Sequence, residues 1–281
     1  MLLTTEELQK FTIGATDGDV GSVDDLYFDD ESWTVRYLVV DTGTWLPGRR
    51  VLVSPMSVRQ AKWSERRLLV GLTRDQIGHC PDIDTTRPIS REHELAYAGH
   101  YGLAPYWAGP HRWGALPYPI DLLTPGLPEP AGDPETARAF RLERLENVGP
   151  EHSEWRYFHE EHGDDHLRSV RDVLGYYIQA TDGDIGHVKD FLVDDRTWAI
   201  RYMIVDTRNW LPGRKVLIAP EWISHLSWTD STVHVSMTRE QIRNSPEYDP
   251  SRPIERDEEL RLYEYYGRPG YWDREDRDRA A

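Results

Sequence analysis

Basic residues are in the minority: 33 lysines and arginines face 49 aspartates and glutamates, a formal net charge of −16. A surface of that sign repels phosphate backbones unless a local basic patch offsets it, and the sequence shows no such patch, so nucleic acid is excluded as a partner. Cysteine occurs once, at Cys80. That rules out an intrachain disulfide framework and fits a reducing compartment. No window approaches the roughly 20 consecutive apolar residues of a membrane-spanning helix. The opening MLLTTEELQKFTIGATDGD lacks the basic-then-apolar order of a secretory signal. The expectation is a soluble, cytoplasmic protein with no transmembrane segment, peripheral membrane association being left open. Catalytic signatures are missing as well. There is no nucleophile elbow, phosphate-cradling loop or paired-cysteine metal motif. No catalytic residue and no organic cofactor are assigned, and the chain is read as not an enzyme.

What is present is a repetition. RYLVVDTGTWLPGRRVLVSP, from Arg36 to Pro55, returns 165 residues later as RYMIVDTRNWLPGRKVLIAP, from Arg201 to Pro220. The ungapped match runs from about residue 11 to 107 against 176 to 272 and includes Trp33 with Trp198, Thr73 with Thr238, and Tyr106-Trp107 with Tyr271-Trp272. A period this long means a whole domain in tandem and not a solenoid. A chain of 281 residues has room for two domains of about 100 residues each. The organisation read from the sequence is repeat 1 with a helical extension over 1–107, a linker over 108–166, repeat 2 with its extension over 167–272, and a charged tail over 273–281. The leading segments TTEEL and SVRDVLG also resemble one another at the same offset.

Within each copy the hydrophobic period is two. VGSVDDLYF and WTVRYLVVD, separated by the turn-forming Asp29-Asp30-Glu31-Ser32, read as a hairpin, and RRVLVSP and ERRLLVGL as further short strands of a small antiparallel sheet. Thr73 to Gln76 and Thr238 to Gln241 match the capping box of a short helix that stops before Pro81 or Pro246. A second helix is expected from about Ser90 to Tyr101 and from Glu255 to Tyr266, ended by Gly102 and Gly267. The linker begins rich in proline and glycine, and its ETARAFRLERLENV suits one short helix. The aromatics, 11 Trp and 15 Tyr, either anchor small cores or form contact surfaces, and their concentration in the helical tails predicts that the two domains pair within the chain.

Three groups of residues are candidates for chemistry. His159, His162 and His166 are spaced by three and four among several carboxylates, a pattern suited on a helix to zinc or another transition metal, and against this stands a plain solvated acidic linker. DGDVG and DGDIG bring two carboxylates into a glycine turn, but too few further oxygens follow for calcium, and the aspartates are expected to bond local amides. In the loops Thr42 to Gly48 and Thr207 to Gly213, Trp45 beside Arg49 and Trp210 beside Arg214 have the composition of a partner-binding hot spot, whereas a Trp-Leu-Pro loop that plugs the domain is the structural alternative.

The pattern DG-x-x-G-x-V-x-D, a hairpin ending in RY-hydrophobic-hydrophobic-V, then a basic-flanked VLI-x-P, resembles the PRC-barrel family, named for the cytoplasmic domain of the photosynthetic reaction centre H subunit. In the first copy it falls on Asp17, Gly18, Gly21, Val23 and Asp25, and each element recurs in the second. The resemblance implies a mainly β fold with short flanking helices, two small antiparallel PRC-type β-barrels in tandem, used as adaptors. In the H subunit the domain packs on membrane partners, and in a ribosome maturation factor it contacts a ribosomal protein. Neither the H subunit's membrane helix nor the maturation factor's extra domain has a counterpart here, so what carries over is a fold and a tendency to bind proteins. The functional expectation is a non-enzymatic adaptor or regulatory module for a protein partner not named by the sequence. Its alternatives are an H-subunit-like accessory protein of photosynthetic electron transfer and a metal- or ligand-binding protein using the linker histidines.

Overall fold

The structure is a computed structural model that describes residues 1–81, 83, 89–109, 111–114, 118–119, 166–207 and 214–273. The chain forms two compact units, and each is built from more than one segment of the sequence. The first comprises Thr5–Asp172 with Asp194–Ala199. Its sheet uses β2 (Thr12–Ala15), β3 (Gly18–Asp29), β4 (Thr34–Asp41), β5 (Arg50–Val53), β6 (Val58–Lys62) and β7 (Arg67–Val70) in the order β5-β4-β3-β2-β7-β6, with β8 (Leu167–Ser169) added on β3. The second unit comprises Met1–Thr4, Val173–Val193 and Ile200–Ala281. There β9 (Tyr177–Ala180), β10 (Gly183–Asp194), β11 (Ile200–Asp206), β12 (Lys215–Ile218), β13 (Ile223–Ser227) and β14 (Thr232–Val235) follow the same order, β12-β11-β10-β9-β14-β13, with β1 (Leu2–Thr4) added on β10.

The hairpins and short strands read from the sequence are present. One correction concerns direction: the sheets are mixed, because β2 runs parallel to β7 and β9 parallel to β14. The chain leaves β2 through a hairpin and returns to its other side only after crossing β4 to β6, so the closing strand arrives pointing the same way. Residues of β4 are buried along all but its last position, as expected of the β-branched and aromatic run TVRYLVVD. In the hairpin turn the Asp29 carboxylate accepts from the amides of Glu31 and Ser32, both at 3.0 Å. Gly21 and Gly186 are required where they stand, since a Cβ on either would collide with the carbonyl oxygen of Asp41 or Asp206.

Both short helices, Arg74–Gly78 and Arg239–Asn244, begin with the complete capping box on Thr73 and Thr238. Helices Arg91–Tyr101 and Arg256–Tyr266 end on Gly102 and Gly267 in the left-handed region, at φ 63° and 62°. The aspartates of the glycine turns do more than bond local amides. Asp17 Oδ1 accepts from the Arg74 amide at 2.8 Å and Asp182 Oδ1 from the Arg239 amide at 2.7 Å, so each turn is tied to the start of a helix.

The compact units cross the repeat boundaries read from the sequence, because the strand that opens each repeat sits in the sheet built by the other. In the first unit this segment is specified residue by residue. His166 Nε2 lies 2.8 Å from Glu94, Leu167 joins the core with Tyr27, Tyr37, Leu52 and Tyr97, and Arg168 pairs with Asp30 at 2.9 Å. Ser169 Oγ donates to the buried Asp25 at 2.5 Å, Val170 is fully buried, and Arg171 pairs with Asp24 at 2.9 Å. Replacing Leu167 by Ala should therefore cost about 2–5 kcal/mol, as for other buried leucines. A urea unfolding midpoint unchanged from wild type would show that this strand is not part of the folded unit.

Candidate functional site

The loop residues proposed for partner contact have neighbours within the first unit. Trp45 is half-buried, with the Arg74 guanidinium 4.6 Å from its ring centroid and Gly78 beneath it. Arg49 donates to the carbonyl oxygens of Gly78 and, at 2.7 Å, of Cys80. Arg214 repeats the arrangement in the second unit, donating to Arg243 O at 2.5 Å and to Ser245 O. Each arginine thus satisfies carbonyls at the end of a short helix, where a cation is also favoured by the helix dipole. Trp210 lies outside the described residues, as do His159 and His162.

His166 is described, and it enters a buried polar cluster that the sequence reading did not assemble. In the first unit Arg36, Arg91, Glu94, Tyr106 and His166 are each 5 % exposed or less, too little for any to be solvated on its own. Arg91 Nη1 donates to Glu94 Oε2 at 3.1 Å and to the Tyr106 hydroxyl at 2.9 Å, and that hydroxyl is 3.1 Å from His166 Nε2. Arg36 pairs with Asp29 at 3.2 Å and lies 3.8 Å above the Tyr106 ring. The lid is Arg112-Trp113: Arg36 donates to Arg112 O at 2.6 Å, and Trp113 Nε1 donates to Thr197 O at 2.9 Å. Burial alone would raise the Asp29 carboxyl, but the Arg36 guanidinium and the Ser32 amide hold it below the usual carboxylate range. The Tyr106 hydroxyl is pushed well up by burial and by the Glu94 carboxylate.

The second unit carries the same set without the histidine. Glu259 accepts from Tyr202 and Tyr271, both at 2.9 Å, and Arg256 pairs with it at 3.2 Å, while Arg201 lies 3.9 Å above the Tyr271 ring. The Arg256 side chain is 52 % exposed where Arg91 is 5 %, so this copy of the cluster is open to water. The signal that could have found the cluster was in the repeat: Arg36, Arg91, Glu94 and Tyr106 are identical to Arg201, Arg256, Glu259 and Tyr271 at the 165-residue offset. Chemically, both are carboxylates neutralised by guanidinium groups within a network that includes phenol hydroxyls and joins a helix to a sheet, an arrangement that holds tertiary structure together.

The surfaces of the two units differ around the start of β9. At the start of β9 the second unit exposes Leu174 (36 %) and Tyr177 (61 %), beside the ring pair Tyr176–Trp228 with centroids 6.1 Å apart. The corresponding positions of the first unit hold Gln9, Thr12 and the ring pair Phe11–Trp63 at 5.7 Å. The ring pair is therefore part of the fold, whereas Leu174 and Tyr177 are additions to the surface. Periodicity alone could not mark them, because a strand residue at an outward position is indistinguishable in sequence from one covered by a neighbour.

Residues 12–77 match the family model of the PRC-barrel domain. Over 82 residues the chain is 33 % identical to an uncharacterized protein of Deinococcus radiodurans, a stretch that makes up 28 % of this chain and 29 % of that relative.

Two outcomes are expected from the geometry. Glu94→Gln leaves Arg91 and His166 buried without their anion and should destabilise the protein by about 3–5 kcal/mol, the range for breaking a buried ion pair; Glu259→Gln, whose arginine partner reaches water, should have a smaller effect in the same chemical denaturation experiment. Trp45→Ala should cost less than the roughly 3–5 kcal/mol of a fully buried large aromatic, and a loss in that full range by calorimetry would instead make Trp45 the plug of its sheet.

Proposed function

We propose, from the PRC-barrel domain that residues 12–77 carry, that this protein is a non-enzymatic adaptor whose two units hold a protein partner in the cytoplasm. The observation that carries the proposal is the exposed pair Leu174 and Tyr177, set beside the structural ring pair of Tyr176 and Trp228. An exposed aromatic and aliphatic group without a folding role is the composition of an interaction hot spot, and the first unit, built on the same strand order, does without it. The polar clusters support the reading from the other side, since their carboxylates and guanidinium groups are committed to one another. No helix among the described residues is long and apolar enough to cross a membrane. The net charge of −16 favours a partner with a basic rim around an apolar centre.

A ligand-binding reading has one observation of its own, a cavity of about 230 Å³ in the second unit whose lining includes Leu217, Tyr248, Ile254 and Leu262 together with Arg252 and Arg261. Arg252 is already paired with Glu258 at 2.5 Å, which leaves less charge for a ligand than the lining suggests. A reaction-centre accessory role forms no part of the proposal.

The test uses the residues of the first unit as replacements. Leu174→Gln with Tyr177→Thr should leave the melting temperature of the full chain near that of wild type and abolish recovery of the protein that wild type retains in affinity purification. Equal recovery by both would place the partner surface elsewhere.

A further inference from the structure

On the outer face of the second unit's sheet, His225 of β13 and His234 of β14 stand directly opposite one another in the antiparallel register. Their ring centroids are 5.6 Å apart with planes inclined by 40°. Val233 and Val235, which alternate with His234, are buried, so the pleat sends His234 outward, and His225 is exposed. A register shift between Ile223 and His225 sets the pairing, and the extra residue, Ser224, is anchored by its hydroxyl to His234 O at 3.2 Å. Three other histidines have protein partners: His79 and His100 each lie 2.8 Å from a helix carbonyl oxygen, and His166 is held by Glu94. The rings of His225 and His234 make no hydrogen bond or ion pair among the described residues and contact each other.

The geometry points to a two-histidine site for a divalent transition cation of the imidazole-preferring class, Cu²⁺, Ni²⁺ or Zn²⁺. Side chains directly opposite on neighbouring antiparallel strands have Cβ atoms about 4.5–5.5 Å apart. That spacing lets two imidazoles turn their nitrogens toward one ion at about 2.0–2.1 Å from each. Nitrogen donors select these metals over calcium and magnesium, which take oxygen. Among the described residues no group of three or more His, Cys, Asp or Glu is placed to hold a metal; the site is the two imidazoles, with water completing the shell. The row continues in register through Gln179 of β9 to Asp184 of β10. With strands about 4.8 Å apart, that carboxylate is roughly 10 Å from His234, too far to ligate and within about one Debye length for attraction.

The first unit shows that the fold does not require this pair. Its corresponding row is Gln60, Leu69, Gly14 and Asp19, in the same register, and there Asp19 is paired with Arg67. Two neighbouring sheet positions have become histidine in one unit only, on the outward side, with their nitrogens uncommitted.

The test is a Cu²⁺ titration of the full chain at neutral pH, followed by calorimetry and by electron paramagnetic resonance, which counts the coordinating nitrogens. Wild type should bind one tight equivalent with the signature of two imidazoles. His225→Gln with His234→Leu, the first unit's residues, should weaken that equivalent on the order of a hundredfold, the usual gain when a second ligand is held at high effective concentration. His159→Gln with His162→Gln should leave it unchanged. The single variant His225→Gln, at an exposed position, reads the same loss if the double variant is less stable. An undiminished tight equivalent in the sheet variants, or its loss in the linker variant, would overturn the assignment. The readout does not involve a protein partner, so it stands or falls apart from the adaptor reading.

Discussion

The short segment from His166 to Arg171, laid along β3, is the constraint on which the first unit depends. Five of six consecutive residues meet a specific neighbour and the sixth, Val170, is fully buried; the polar neighbours come from different places: Glu94 on the long helix, Asp30 in the hairpin turn, Asp25 and Asp24 on β3. Burial raises the Asp25 carboxyl above the usual carboxylate range, and the Ser169 hydroxyl with the Leu26 and Arg171 amides counters only part of that shift. Without the segment Asp25 would be a buried carboxylate with one amide donor from its own strand, an arrangement a folded domain tolerates poorly. The adaptor reading therefore concerns a chain whose halves cannot be separated at the repeat boundary without removing a strand from a sheet.

The two units show which features of this architecture are structural and which are additional. Features found in both are the capping boxes, the aspartate that caps a helix from the glycine turn, the arginine that satisfies a helix end, and the carboxylate clamped by arginine and tyrosine. Each satisfies backbone or buried groups that would otherwise be left unpaired. Among the features found in the second unit only, Leu174, Tyr177 and the histidines opposite one another on β13 and β14 lie on the outside. Duplication supplies an internal comparison, since the first unit shows what the fold needs and the second what has been added to it.

Much of the fold was legible in the sequence because its signals are local. The period of two in TVRYLVVD, the spacing of Thr73 and Gln76, and the glycines after each long helix act within a few residues, and the structure places strand, cap and helix end where they stand. Short strands such as Leu2–Thr4 and Leu167–Ser169 were not legible as strands, because three residues carry no period and their pairing depends on a sheet distant in sequence.

The sequence by itself determined the repetition, the acidic charge and the match of residues 12–77 to the PRC-barrel domain, since each is a property of residue identity and order. Only the tertiary structure decided that β2 and β7 run parallel, that His166 faces Glu94 from 72 positions away, and that His225 meets His234 across a turn whose register depends on a bulge. The physical reason is the same in each case: a partner across strands is chosen by register and by what must be buried together, and neither is written in the spacing of residues along the chain.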